Sequence, residues 1–433
     1  MNNTLLRVLL SSLVLGAFLA AQTVDDTQLK QVIIFGRHSV RSPVVDNGVL
    51  NNFSVQRFPD FGVQPGYLTA NGAKLETILG GYYRLWLTQQ GLLTGNDTAD
   101  ANFVYVRANN LERTIATAQA FAASLLPSAT IAVDSYQQGS DPLFDPVGAG
   151  VALLDSQKEV EAIEGRLGAD PQLLATAYSA EYALERSVLF NYPGGQNPVP
   201  ATPAGKMDLT TIPITVTAGS PVSIGGLDVA DVVATSFLLE YADGMPTEDV
   251  GWGQVTPDSI SQFSRFTTRL LDLGYRTPYL AEVQSSNVAS HIVGSLVQSA
   301  SGNAVSGSLG NPQTKIIVLI ASDVNVTGLA GLFHLDWTLP GYQPDFCALG
   351  GALVLELRQS QSTGEFLVRA SYVAQTLDQL RNQTALTLSI PPAIAPVFIP
   401  GCSAENDTFD CPLGKLMGLA KQVIDPQSAD LKN

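Results

Sequence analysis

Three short apolar runs punctuate the first and last thirds of the chain, at residues 31–35, 103–106 and 315–321, and each ends abruptly in polar residues. Runs of four to seven residues without polar alternation predict strands buried on both faces. Between them the hydrophobic period lengthens. Leu75, Ile78, Leu79, Tyr82 and Trp86 form one stripe of a helix predicted over residues 73–90, and a second helix follows over 111–125, closed by Pro127. Strand, loop, helix, strand, loop, helix is the grammar of an α/β layer.

Residues 131–256 have another texture: several helical patterns, a Pro/Gly-rich passage at 192–226 that predicts irregular chain, and an apolar helix at 229–241. This stretch reads as a smaller, mostly helical cap domain inserted into an α/β core made of residues 22–130 and 257–433. The core continues with helices near 259–273 and 278–300, a Ser/Gly/Asn linker at 301–312, a β-hairpin at 351–359 and 365–375, and a closing helix at 415–423.

Composition narrows the partners. With 433 residues and 45% hydrophobic content the chain supports a large core. A formal charge of −16 excludes nucleic acid and anionic membrane surfaces as ordinary partners. Residues 1–21 read as a signal peptide, with Arg7 in a basic segment, an apolar stretch at 8–19 and a small-residue cleavage site. A secreted or periplasmic protein, off the membrane once cleaved, is the expectation. Cys402 and Cys411 flank a short polar loop that a disulfide could close, which leaves Cys347 buried or free. Asn-x-Ser/Thr triplets at Asn52, Asn96, Asn325, Asn382 and Asn406 are glycan acceptors only in a eukaryotic secretory route.

In so acidic a chain, two arginines and a histidine within five residues change the picture. Arg37, His38 and Arg41 directly follow the first apolar run. Guanidinium groups offer planar forks to a phosphate, and a neutral imidazole between them is a nucleophile. Taken alone, the cluster reads equally as an ordinary solvated loop. Arg113 falls in the first turn of the second helix, where anions are favoured, or is a surface ion-pair partner. Asp323 follows the third strand, where it either meets a ligand or caps the next helix.

Taken together the motifs resemble a family. Arg37-His38-Ser39-Val40-Arg41-Ser42-Pro43 is similar to the Arg-His-Gly-x-Arg-x-Pro signature of the histidine acid phosphatases, and Glu112-Arg113-Thr114 resembles their second arginine helix. The likeness continues through Asp141-Pro142-Leu143-Phe144, Gly244-Met245-Pro246, Gly251-Trp252-Gly253, Gly350-Gly351, Leu380-Arg381-Asn382 and the Cys402/Cys411 loop, and is nearest to the periplasmic glucose-1-phosphatase and acid phytase group. The resemblance implies a phosphoglycerate-mutase-like core sheet flanked by helices and hydrolysis of phosphate monoesters such as sugar phosphates. It implies no metal and no cofactor. It casts His38 as the nucleophile that becomes phosphohistidine, Arg37, Arg41 and Arg113 as holders of the phosphoryl oxygens, and Asp323 as proton donor to the leaving alcohol, with an acidic optimum.

Some positions depart from the pattern. The family's second motif is usually His-Asp, but here the histidine position is Ser322, which can offer the phosphoryl group a hydrogen bond and no charge. The remaining histidines, His291 and His334, read as packing or surface residues. Ser39 replaces the motif glycine, and Thr235 stands about where related phytases carry an acidic substrate contact, so a phytate preference does not carry over. Two readings follow. The first is an acid phosphatase acting on a small phosphorylated substrate; the second is a weakened member that binds phosphorylated ligands without turning them over.

Overall fold

The computed structural model describes residues 25–168 and 170–430; the predicted signal peptide lies outside the described residues. The core is built on β1 (Thr27–Arg37), which runs further than the apolar stretch predicts at both ends. It lies between two partners of opposite sense. β4 (Ile316–Ala321) pairs with it in parallel and β5 (Ala352–Ser360) antiparallel. On the β4 side follow β2 (Val104–Ala108) and β3 (Val133–Ser135), both parallel; on the β5 side follow β6 (Phe366–Ala374) and β7 (Ala393–Val397), both antiparallel. The spatial order is therefore β3-β2-β4-β1-β5-β6-β7.

The period-2 geometry of these strands splits the core in two. Val32 and Ile34 of β1, with Ile316, Val318 and Ile320 of β4, face a layer containing α1 (Ala70–Gln89) and α2 (Glu112–Leu125), where Leu79, Tyr83 and Phe121 are buried. Ile33 and Phe35, with Ile317 and Leu319, face the other way. There they meet buried residues of α7 (Pro278–Ser301) and α8 (Asp323–Phe333), among them Val288, Ile292, Val326 and Leu329. Residues that are apolar on both sides of a strand need helices on both sides, which is what the sequence supplies.

The segment 131–256 begins with β3 in the main sheet and continues as α3 (Ser156–Leu167), α4 (Ser179–Leu189) and α5 (Gly226–Ala242). α5 packs on α6 (Pro257–Tyr275), whose start is set by Thr256 and Ser259 in a reciprocal capping box and by Pro257 in the first turn. The 192–226 passage is largely irregular, as its Pro/Gly content predicts. Near the C-terminus, α9 (Leu413–Val423) follows the disulfide between Cys402 and Cys411, whose Cα atoms are 5.1 Å apart. Cys347 is free and buried. Among the described residues no helix is long and apolar enough to cross a membrane.

One glycine ties α1 to the loop after β1. Thr69 caps the helix through its Oγ1, which accepts from the Gly72 N–H, while the Thr69 N–H donates to the Val40 carbonyl at 3.0 Å. A Cβ at Gly72 would stand 2.1 Å from that same carbonyl oxygen. Backbone cannot yield as a side chain does, so Gly72→Ala is expected to destabilise the protein by roughly 1–3 kcal/mol. The check is the midpoint of urea unfolding; an unshifted midpoint would mean that the helix slides at no cost.

Candidate active site

Strands β2, β4 and β1 are parallel neighbours, so their carboxyl ends open on one edge of the sheet, the place where α/β folds gather ligand groups. Arg37 and His38 leave β1 there, Ser322 and Asp323 leave β4, and Arg113 begins the helix after β2. Backbone bonds lock the three exits together. The His38 N–H donates to Ala321 O at 2.9 Å, the Asn109 N–H to Ile320 O at 2.9 Å, and the Arg37 N–H to Gly351 O at 2.8 Å. The result is a cavity of about 610 Å³ lined by His38, Arg41, Arg113, Ser322 and Asp323 among others.

His38 is buried, and its Nδ1 lies 2.8 Å from the Ser39 carbonyl oxygen. A carbonyl only accepts, so Nδ1 carries the proton and Nε2 keeps its lone pair. Burial, followed by the charges of Arg41, Arg37 and Arg113, holds its imidazole well below the usual histidine range. It therefore stays neutral and nucleophilic in acid.

Arg37 is almost completely enclosed, at 1% exposure. Its Nη1 donates to the Cys347 carbonyl at 2.6 Å, and its Nη2 pairs with Asp323 Oδ2 at 2.8 Å. Arg41 and Arg113 have no ion-pair partner among the described residues. Among the described residues Arg41 donates only to the Ser42 carbonyl, at 2.9 Å. Burial together with Arg37 and Arg113 lowers it to about 9, which leaves it charged throughout the acid range; burial also lowers Arg113. Two unmatched guanidiniums beside a neutral imidazole form a receptor for an anion.

Helix α8 is capped by Ser322, not by Asp323, which is its first helical residue. The Ser322 hydroxyl donates to Asn325 Oδ1 at 2.9 Å, and the Asn325 amide donates in turn to the Phe144 carbonyl at 2.6 Å. Both ends of the Asn325 side chain are thereby engaged, so it is no glycan acceptor in the folded protein. His291 is buried with Nδ1 on the Gly307 carbonyl, and His334 is exposed where α8 ends in a left-handed turn. Neither lines the cavity.

Ser39 fits where the motif has glycine: it is buried, and its N–H donates to Thr117 Oγ1 at 3.1 Å. Behind it, burial pushes the Glu76 carboxyl up to about 8, so this group adds no negative charge beneath the arginines in acid. Among the described residues no group of three or more His, Cys, Asp or Glu is arranged to hold a metal ion.

Several wall residues were not foreseen. Asp145, Asp228, Asp231, Thr267 and Tyr275 line the cavity, and Asp231 projects from the apolar helix α5. The one available signal was a pair of carboxylates at 228 and 231 on an otherwise hydrophobic helix face. Asp141, by contrast, is a scaffold residue: it pairs with Arg107 at 2.8 Å and receives the Leu143 N–H, turning the chain so that Phe144 reaches the cavity.

The family model for the histidine phosphatase superfamily (branch 2) matches residues 28–172. The phytase AppA of Escherichia coli (strain K12) is 30% identical over 417 residues, 94% of each chain. A glucose-1-phosphatase of Salmonella typhimurium is also 30% identical, covering 96% of this chain and 98% of the relative. The structure of Hafnia alvei phytase in complex with tartrate superimposes with a TM-score of 0.85 at 32% identity, covering 94% of this chain and all of that one.

Proposed function

The chain belongs to branch 2 of the histidine phosphatase superfamily and is a histidine acid phosphatase that hydrolyses phosphate monoesters; from that premise we propose how its residues divide the work. His38 Nε2 attacks phosphorus, the bond to the leaving oxygen breaks, and Asp323 gives that oxygen its proton. Water then attacks the phosphohistidine, with Asp323 taking a proton back. Arg37, Arg41 and Arg113 hold the phosphoryl oxygens through both steps, supplying the positioning and charge that phosphoryl transfer requires. The observation that carries this reading is the pair of guanidiniums without counter-ions, Arg41 and Arg113, facing the same cavity as a neutral His38. A binding-only role, suggested by Ser322 alone, is not favoured: these groups are all in place and the relatives are named as a phytase and a glucose-1-phosphatase.

The substrate class follows from charge. Beyond Arg41 and Arg113 the lining has no lysine or arginine among the described residues, while Asp145 and Asp228 stand on the walls with Tyr275, Gln284 and Ser223. Such walls suit a neutral polyol and repel further phosphates. The residues at 144–147, 220–223, 228 and 231 all come from segment 131–256, which supports reading it as the cap that chooses the leaving group. The N-terminal apolar stretch and the disulfide support a secreted or periplasmic setting.

The test is phosphate release from 4-nitrophenyl phosphate, glucose 1-phosphate and inositol hexakisphosphate. Turnover of the aryl ester is expected in acid, and kcat/KM for glucose 1-phosphate should exceed that for the hexakisphosphate by roughly tenfold or more, since facing like charges is costly. Equal or reversed values would discard the neutral-alcohol reading. No release from any of the three would discard the assignment of roles.

A further inference from the structure

We infer that Asp231 is a hydrogen-bond donor to the phosphoryl group in this site, supplying from the cap side the contact that Ser322 does not make. The inference rests on the phosphatase reading above. Ser322 has its only hydroxyl hydrogen on Asn325, so the end of β4 offers the ligand no side-chain donor from that position. Asp231 comes from α5, in segment 131–256. It lines the main cavity together with His38, Arg41, Arg113 and Asp323, and also a narrow crevice of about 60 Å³ shared with Arg37, Arg41 and Asp323.

The carboxyl has a built-in orientation. Its Oδ1 accepts from Thr267 Oγ1 at 2.5 Å and, more loosely, from Thr235 Oγ1 at 3.4 Å. No described residue bonds Oδ2. An oxygen that already accepts from hydroxyls is the poorer place for a proton, so an acid hydrogen belongs on Oδ2, on the unoccupied side.

The surroundings keep that hydrogen in place. Burial pushes the Asp231 carboxyl up to about 6, the Thr267 hydrogen bond and Arg37 pull it down, and Asp323 raises it. Arg41 faces it from the loop after β1. Glu185, on α4, is buried with no hydrogen-bond partner for either carboxyl oxygen, and burial and Asp231 together raise it well above the usual range. At pH 4 to 5 the group is thus an uncharged donor. Above about 6 it becomes an anion facing another anion, and the same position turns from attractive to repulsive.

The experiment compares the parent, Asp231→Asn, Asp231→Ala and His38→Ala, measuring kcat and KM for 4-nitrophenyl phosphate from about pH 4 to 8. The amide keeps a donor and cannot ionise. Asp231→Asn should hold the parent's acid-side kcat/KM within a few-fold and keep it to higher pH, past the point where the parent declines. Asp231→Ala should lose roughly tenfold to a hundredfold, the worth of one hydrogen bond to a charged group. Parent-like values and an unmoved alkaline limb in both Asp231 variants would overturn the inference, as would an Asp231→Asn loss as deep as that of alanine. Should the alanine variant fail to fold, the asparagine profile decides alone. Loss of turnover in His38→Ala in the same series isolates an Asp231 failure from a failure of the phosphatase roles, which would instead show as turnover surviving in His38→Ala.

Discussion

Replacing His38 with alanine is expected to lower kcat/KM for phosphate monoesters by a factor on the order of 10⁴ or more, with no pH at which activity returns. The size of the effect follows from the site having one nucleophile. His38 is the single histidine lining the cavity, and its Nδ1 bond to Ser39 aims the Nε2 lone pair at whatever Arg41 and Arg113 hold. The three arginines survive the substitution, so phosphate itself should still bind. Folding should change little, because the imidazole is held neutral and its described ring hydrogen bond runs only to the carbonyl of the adjacent Ser39. Steady-state kinetics, phosphate titration and thermal melting together check this. Turnover within tenfold of the parent would transfer the nucleophile's role elsewhere.

Arg37→Leu should instead damage both folding and chemistry. Its guanidinium is enclosed, donates to the Cys347 carbonyl and pairs with Asp323 at 2.8 Å. Leucine fills much of the volume but leaves the carbonyl without a donor and the carboxylate without a counter-ion. Asp323 keeps 20% exposure on the cavity wall, so the loss is expected to be about 1–3 kcal/mol, the cost of leaving a buried polar group unpaired, and not the larger cost of stranding a fully buried charge. Loss of one charged phosphoryl contact adds roughly 10²- to 10³-fold in kcat. Arg37→Lys would rescue neither fully, since one ammonium cannot fork to two partners at right geometry. Denaturant unfolding and kcat/KM on the two variants check it; a leucine variant as stable as the parent would show that Asp323 finds solvent instead.

The parts of this design that were legible in the sequence were those written in side chains at fixed spacing. The strands at 31–35, 103–106 and 315–321 announce themselves because each must be apolar on both faces, and the residues after them, Arg37, His38, Arg113 and Asp323, arrive at one sheet edge because parallel strands share a direction. β7 was not legible: Ala393–Val397 contains Pro396 and only two large apolar residues, a weak strand signal that an edge position tolerates. The hold of Cys347 on Arg37 is made by a backbone carbonyl, which any residue provides, and so left no trace. Asp231 was hidden for the opposite reason. It sits in a helix whose apolar character dominates its pattern, and its meaning depends on Thr267 and Arg41, which only the folded chain brings near. The cap of α8 was a one-residue matter: Ser and Asp are both good caps, and the serine's neighbour at Asn325 decides between them.

The placement of β1 carries a temporal consequence. It is an early segment of the chain, yet its neighbours on either side are β4 and β5, some three hundred residues later, and the residue it presents to phosphate is held by the carbonyl of Cys347. A ribosome releases the nucleophile first and its supports last. Until β4 and then β5 have emerged and the long loops have closed, the signature segment lacks one or both of its flanking strands and its arginine has no anchor. Sequence-distant pairing of this kind is slow to form. Catalytic competence is therefore the last property the nascent chain acquires, and an incompletely assembled molecule carries the whole signature without the ability to use it.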